Sequence, residues 1–216
     1  MKNSLKKLWH QLPTIVLIVF VAVSVVLGIS YFTRTIDGSD REMPEYTVTH
    51  YAKITIRDYG TFTVALAGEA APRTVANFVD LAESGFYDGL TIHRVVKRYV
   101  MQGGCPNGDG SGTSGSYLYG EFANNDFDNP LPHLRGAISM ARESGFNSAS
   151  CQFFIVHDDQ PQLDGSYAVF GYVVEGYLEV VDKICSEVEP VNNTGLVEKG
   201  KQPVIEKIEI IPVTNP

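Results

Sequence analysis

The run Gly110-Ser-Gly112-Thr-Ser-Gly115 has the G-x-G-x-x-G spacing of a dinucleotide-binding turn, a device that works only between a strand and a helix whose N-terminus faces the pyrophosphate. The residues that follow, Ser116 to Phe122, are not helical in pattern, so the run reads as a flexible glycine loop. No Walker-type Lys-Ser/Thr follows a glycine run, which leaves phosphate cradling without support. His50, His93, His133 and His157 are scattered and neither H-E-x-x-H nor C-x-x-C occurs, so no metal or cofactor is expected. Asp126 and Asp128 read as a solvated acidic loop rather than a calcium site. Ser139 lies in an apolar run outside any G-x-S-x-G, where its hydroxyl is expected to be hydrogen-bonded rather than nucleophilic. Taken alone, Arg94 reads as half of a surface ion pair. Asn192-Asn-Thr194 is a glycosylation sequon, with meaning only in a host that exports and glycosylates the chain. Cys185 reads as a small apolar residue on a helix face, and three cysteines leave at least one thiol unpaired in an oxidising compartment.

The elements that must position these residues are mostly strands. Around Asp58-Tyr59-Gly60 the chain alternates apolar and polar residues from Thr47 to Leu66, the pattern of a β-hairpin with Ile54, Ile56, Phe62, Val64 and Leu66 on one face. After Pro72 the period changes: Val75, Phe78, Val79 and Ala82 share a helical stripe, and Gly85 follows as a C-terminal stop. Apolar, β-rich stretches recur at Thr91–Val96, Ala137–Met140, Cys151–Val156, Ala168–Val174 and Val204–Ile211, and a second short helix fits Leu178–Cys185. Many strands with two helices and no βαβ alternation predict an all-β barrel or sandwich.

Length and charge narrow the function classes. The 216 residues, 44% of them hydrophobic and with only 3 Cys, suit one globular domain that needs no disulfide framework. The net charge of −8 is uneven, because Lys2, Lys6, Lys7 and Arg34 lie in an N-terminal stretch that holds no acid. The remainder is therefore more acidic than the whole, which excludes nucleic acid and anionic lipid as partners of the main domain. Leu12 to Phe32 is an uncharged apolar run long enough to span a bilayer, with basic residues before it. It predicts a transmembrane helix over 12–32, a cytoplasmic tip at 1–11, a linker at 33–46 and an extracytoplasmic domain at 47–216. The alternative is a cleaved signal segment and a secreted domain.

Two longer segments carry more than these short patterns. Ile92-His-Arg94-Val-Val-Lys-Arg-Tyr99-Val100-Met-Gln102-Gly-Gly104 resembles the F-H-R-I-I-P-x-F-M-x-Q-G-G segment of the cyclophilin family of peptidyl-prolyl cis/trans isomerases. Gly136–Ala141, Ser150–Val156 and Leu163-Asp-Gly-Ser-Tyr167-Ala-Val-Phe-Gly171 resemble its later signatures in the same order, so the resemblance covers about residues 47–212. It implies a closed eight-stranded antiparallel β-barrel capped by two helices. It also implies that Arg94 is the catalytic arginine and Gln102 its orienting partner. Tyr99, Val100, Phe154 and Leu163 would form the proline pocket, with Tyr167 beside them, and Ala141, Arg142 and Gln152 would hold peptide backbone.

The sequence departs from the family pattern at several of these places. Tyr99 and Val100 replace the usual Phe and Met, Arg142 a common Asn, and Tyr167 a frequent His, a feature shared with the bacterial branch. Gln162 stands where cyclosporin-sensitive members carry Trp, which implies weak cyclosporin binding because the indole surface and its N–H are lost. The expected partners are proline-containing peptides and unfolded exported proteins met by a monomer. The alternative is a proline-peptide binding module or holdase with little turnover. In the family's fold Gln102 and Gln152 border one groove, so Cys105 and Cys151 become candidates for a disulfide if their Cα atoms come within roughly 7 Å.

Overall fold

The computed structural model describes residues 43–213. The expected transmembrane helix at 12–32 lies outside them, and among the described residues no helix is long and apolar enough to cross a membrane. Of the expected linker, Met43 and Tyr46 pack against an apolar cluster, the Tyr46 ring 5.4 Å from that of Tyr172.

Eight strands, β1 (His50–Ile56), β2 (Gly60–Leu66), β3 (Thr91–Val96), β4 (Val100–Cys105), β5 (Ala137–Met140), β6 (Phe153–Val156), β7 (Val169–Glu175) and β8 (Ile205–Pro212), form one sheet. Their order is β3-β4-β6-β5-β7-β2-β1-β8, and every neighbouring pair is antiparallel. The first hairpin aligns Ile54 with Phe62 and Ala52 with Val64. That register places Ile54, Ile56, Phe62, Val64 and Leu66 in the interior, each no more than 1% exposed.

The barrel expected to be closed is a curled sheet whose edges meet only in part. No continuous ladder joins β3 to β8; one bridge, Thr91 to Val204, ties them, with Ile92 N–H donating to Pro203 O and Ile205 N–H to Leu90 O. Pro203 has no N–H to return, so a ladder cannot extend through it. The rest of the β3 edge is covered by a loop: Val95 N–H donates to Gly195 O and Val197 N–H to His93 O.

Strand β4 is not among the strands expected above, and it carries Gly103 and Gly104, a residue type that weakens a strand interior. Here the glycines admit close neighbours. A Cβ on Gly103 would stand 2.7 Å from Ile92 Cδ1, and Gly104, at φ +80°, presses against the Cys151 carbonyl.

Helix α1 (Pro72–Glu83) buries Val75, Phe78 and Ala82, with Phe78 packed on Tyr87, Phe153 and Phe170. It has no cap of its own; the buried Glu121 carboxylate accepts from Arg73 N (3.0 Å) and Thr74 N (2.8 Å). The second helical segment begins one residue before the expected start, as a wide π turn over Tyr177–Asp182 that continues into α2 (Lys183–Glu187). The wider turn lets the adjacent Val180 and Val181 both face inward, at 1% and 0% exposure.

Candidate active site

Register builds the site. Arg94 on β3 pairs with Gln102 on β4, Gln102 with Phe154 on β6, and Phe154 with Ser139 on β5, so these four form one row across the sheet. Their chain neighbours Val95, Met101, Ile155 and Ile138 form the next row and fill the interior. Phe154 therefore belongs to a separate outer cluster with Val100, Leu163 and Val156, while Phe153 lies in the core.

The polar half of the site is a chain of side chains. Arg94 Nη1 donates to Gln102 Oε1 (3.2 Å) and Gln102 Nε2 to Gln152 Oε1 (3.0 Å). Gln152 Nε2 donates to the carbonyls of Gly110 (2.8 Å) and Gly112 (2.9 Å). At the other end Arg94 Nε donates to Thr194 O (2.8 Å), and the guanidinium carbon sits 5.7 Å from the centroid of the Tyr99 ring. Nη2 has no partner among the described residues.

The apolar half lies beside it. Val100, Phe154 and Leu163, at 2%, 5% and 7% exposure, make a floor that Tyr99, Ala141 and Tyr167 border. The Tyr167 ring meets Phe154 edge-on at 5.8 Å. Partial burial raises the Tyr99 phenol above its ordinary pKa and keeps it neutral.

Beneath this floor is a residue the sequence did not single out for the site. The buried His133 ring stacks on Phe154 at 6.0 Å and 14°, its Nδ1 2.9 Å from Asp164 Oδ1 and its Nε2 3.0 Å from Ser139 Oγ. The order Ser-His-Asp is that of a nucleophilic triad, yet Ser139 is 0% exposed and no acyl group can reach it. The hydroxyl is hydrogen-bonded as expected, and the trio holds Phe154, with Asp164 next in chain to Leu163.

The remaining expected residues take different positions. Arg142 does not present its head freely: Nε donates to Ser166 O (2.9 Å), Nη1 to Glu143 O (2.8 Å), and the guanidinium covers the rings of Tyr167, Phe122 and Phe146. Ala141 N–H donates to Gln152 O (2.8 Å), and Gln162 is exposed with its amide donating to Gln160 Oε1. Cys105, Cys151 and Cys185 are all free and buried, so the candidate disulfide is absent. The Cys105 sulfur instead accepts from Gly110 N and Gly112 N, both at 3.2 Å. The sequon forms a tight turn in which Asn192 Oδ1 accepts from Thr194 N (3.1 Å) and Oγ1 (2.6 Å), which places the Thr194 carbonyl at Arg94. The glycine run is indeed a loop, but one bound at both faces.

Residues 51–214 match the family model described as cyclophilin type peptidyl-prolyl cis-trans isomerase/CLD. The chain belongs to the cyclophilin family. Peptidyl-prolyl cis-trans isomerase B of Bacillus subtilis is 48% identical over 121 residues, 56% of this chain and 81% of its own length. A Helicobacter pylori peptidyl-prolyl cis-trans isomerase is 44% identical over 142 residues, 65% of this chain and 83% of its own. Among solved structures, a Cryptosporidium parvum cyclophilin-type isomerase superposes with a TM-score of 0.66 at 26% identity, covering 78% of this chain and 99% of that one. The same protein crystallised in the presence of the dipeptide Ala-Pro gives 0.65 at 27% identity, covering 76% and 99%. In this cyclophilin the two core signatures meet as adjacent strands β4 and β6, which is why they flank one groove.

Proposed function

We propose that this chain is a membrane-anchored, extracytoplasmic peptidyl-prolyl isomerase that assists the folding of exported proteins. The observation that carries the catalytic reading is Arg94, held by Thr194 and Gln102 with Nη2 unengaged, beside an apolar floor of Val100, Phe154 and Leu163. Membership of a family whose relatives are named peptidyl-prolyl cis-trans isomerases supports it.

Rotating an X–Pro bond breaks amide resonance across a barrier of roughly 18–20 kcal/mol and makes or breaks no covalent bond. The prolyl nitrogen recovers its lone pair only in the twisted state, so a donor aimed at it stabilises that state selectively. Arg94 supplies the donor, Gln102 and Gln152 hold substrate backbone, and the apolar floor with Tyr99 and Tyr167 grips the ring. The uncharged run at 12–32 behind Lys2, Lys6 and Lys7 supports anchoring with the domain outside, where chains emerge unfolded and slow prolyl steps limit them.

The test is exchange NMR on an X–Pro peptide with the full chain in detergent. Acceleration that falls about 100-fold in Arg94→Ala, the usual scale for losing one transition-state donor, is the expected result. Peptide binding without acceleration would make the chain a binding module. For the anchor, a reporter fused after Pro216 should be accessible only from outside intact cells.

A further inference from the structure

Cys105 lies below the groove, 1% exposed, where no substrate reaches it, yet it touches the loop on which the polar half depends. Gly110 and Gly112 each turn an N–H toward its sulfur at 3.2 Å. Their carbonyls accept from the two protons of Gln152 Nε2. The loop is therefore strung between the sulfur and the glutamine. Only glycine suits this path: Gly110 has φ +89°, and a Cβ on Gly112 would stand 2.9 Å from Asn107 N and from Pro106 Cδ.

This arrangement sets a direction. Carbonyls can only accept, so the Gln152 amide must offer them its NH2, and its oxygen is left to face Gln102. Gln102 must then offer its own NH2 to Gln152 and its oxygen to Arg94. With either amide reversed, an NH2 would face an NH2 or the guanidinium. The orientation of the chain that ends at Arg94 thus begins with the Cys105 sulfur under the loop, whose own S–H faces Asp109 Oδ1 at 4.0 Å while its lone pairs draw the glycine N–H groups inward and leave their carbonyls outward.

We propose that Cys105 is a positioning residue of this site, its sulfur fixing the Gly110–Gly112 loop and, through it, the orientation of Gln152, Gln102 and Arg94. This rests on the isomerase reading, and the test therefore includes a readout that needs no turnover.

The measurement pairs kcat and KM from exchange NMR with amide-proton spectra of the peptide-free full chain in detergent. The proteins are wild type, Cys105→Ala, Cys105→Ser, Gln152→Ala and the Cys105→Ala/Gln152→Ala double variant. Cys105→Ala should lower kcat/KM about fivefold, mostly through KM, and the double variant should be no worse than Gln152→Ala alone, because both act through one chain. The Gln152 side-chain NH2 signals should shift and the Gly110 and Gly112 amides exchange faster. Cys105→Ser, which keeps an acceptor on a shorter bond, should recover most of the loss.

Unchanged kcat/KM in Cys105→Ala would overturn the proposal, as would the same fold-loss in the Gln152→Ala background. If Cys105→Ala does not fold, Cys105→Ser carries the test: moved glycine amides with unmoved Gln152 NH2 signals would also overturn it. A wild-type chain that binds the peptide without accelerating exchange refutes the isomerase reading, while the spectra still judge the relay.

Discussion

The two halves of the groove are held in different ways. The apolar half is a by-product of packing: Val100, Phe154 and Leu163 are nearly buried, and His133, Asp164 and Ser139 lock the Phe154 ring from below. The polar half depends on directed contacts instead; Arg94, Gln102 and Gln152 are partly buried and keep their places by hydrogen bonds to one another and to loop carbonyls at Thr194, Gly110 and Gly112. Stability and substrate grip should therefore change together in the first half and come apart in the second.

The sharpest way to break that contrast is a pair of substitutions in one cross-strand row. Phe154→Ala removes most of a buried ring and should cost about 3–5 kcal/mol of unfolding free energy together with a rise in KM. Denaturant midpoints read the first, and exchange kinetics the second. Arg94→Lys keeps the charge but loses the fork that serves Thr194 and Gln102 at once. It should lower kcat about 100-fold with the melting temperature unmoved. A large stability loss in Arg94→Lys would erase the distinction between the halves.

Next in size is Asp164→Asn. The carboxylate accepts from His133 N (2.7 Å) and lies 2.9 Å from its Nδ1, and an amide can serve both only with its oxygen correctly turned. The expected loss is about 1–2 kcal/mol, with KM rising as the Phe154 ring loosens. If KM holds while stability falls, the His133 trio supports the fold but not the pocket.

The apolar half was legible through the family resemblance, which named Tyr99, Val100, Phe154 and Leu163; strand alternation alone left Phe154 free to face either side, and the sheet pairing decides it. The first hairpin was equally clear, since Ile54, Ile56, Phe62, Val64 and Leu66 obey a single period. In the polar half the resemblance named the residues and paired Gln102 with Arg94, but did not give what holds them in place. Its supports are main-chain carbonyls and a sulfur, which any sequence offers everywhere, and they act through loops whose shape depends on positive φ at Gly110 and on the Asn192 turn. His133 escaped for a related reason: one histidine in a polar loop has no period, and its partners lie 6 and 31 residues away. The partly open barrel was missed because closure fails at Pro203, a single position where the loss of one N–H ends a ladder.

The smallest effect should come from acid, and it should reach the polar half first. His93 packs under the Gly110 loop, its Nε2 3.8 Å from where a Cβ on Gly110 would be. Burial first, with the Arg94 guanidinium adding to it and the Thr91 backbone and Asp109 partly offsetting it, pushes its pKa down to about 4. An unfolded histidine takes up its proton near pH 6.5, so in the window from 6.5 down to about 4 the unfolded chain binds the proton and the folded chain does not. Stability supplied by neutral His93 is complete above that window and is lost as pH falls through it, by about 1 kcal/mol between pH 7 and 5.5. His157, also lowered by burial but with Asp182 at 3.2 Å in opposition, adds in the same direction. Chemical denaturation at the two pH values should show the loss, and His93→Gln should remove most of it. If His93 is the cause, the protection of the Gly110 and Gly112 amides against exchange, taken relative to the intrinsic rate at each pH, will fall on acidification before that of Ile155 on β6. A uniform fall across both halves would instead place the acid sensitivity outside the groove.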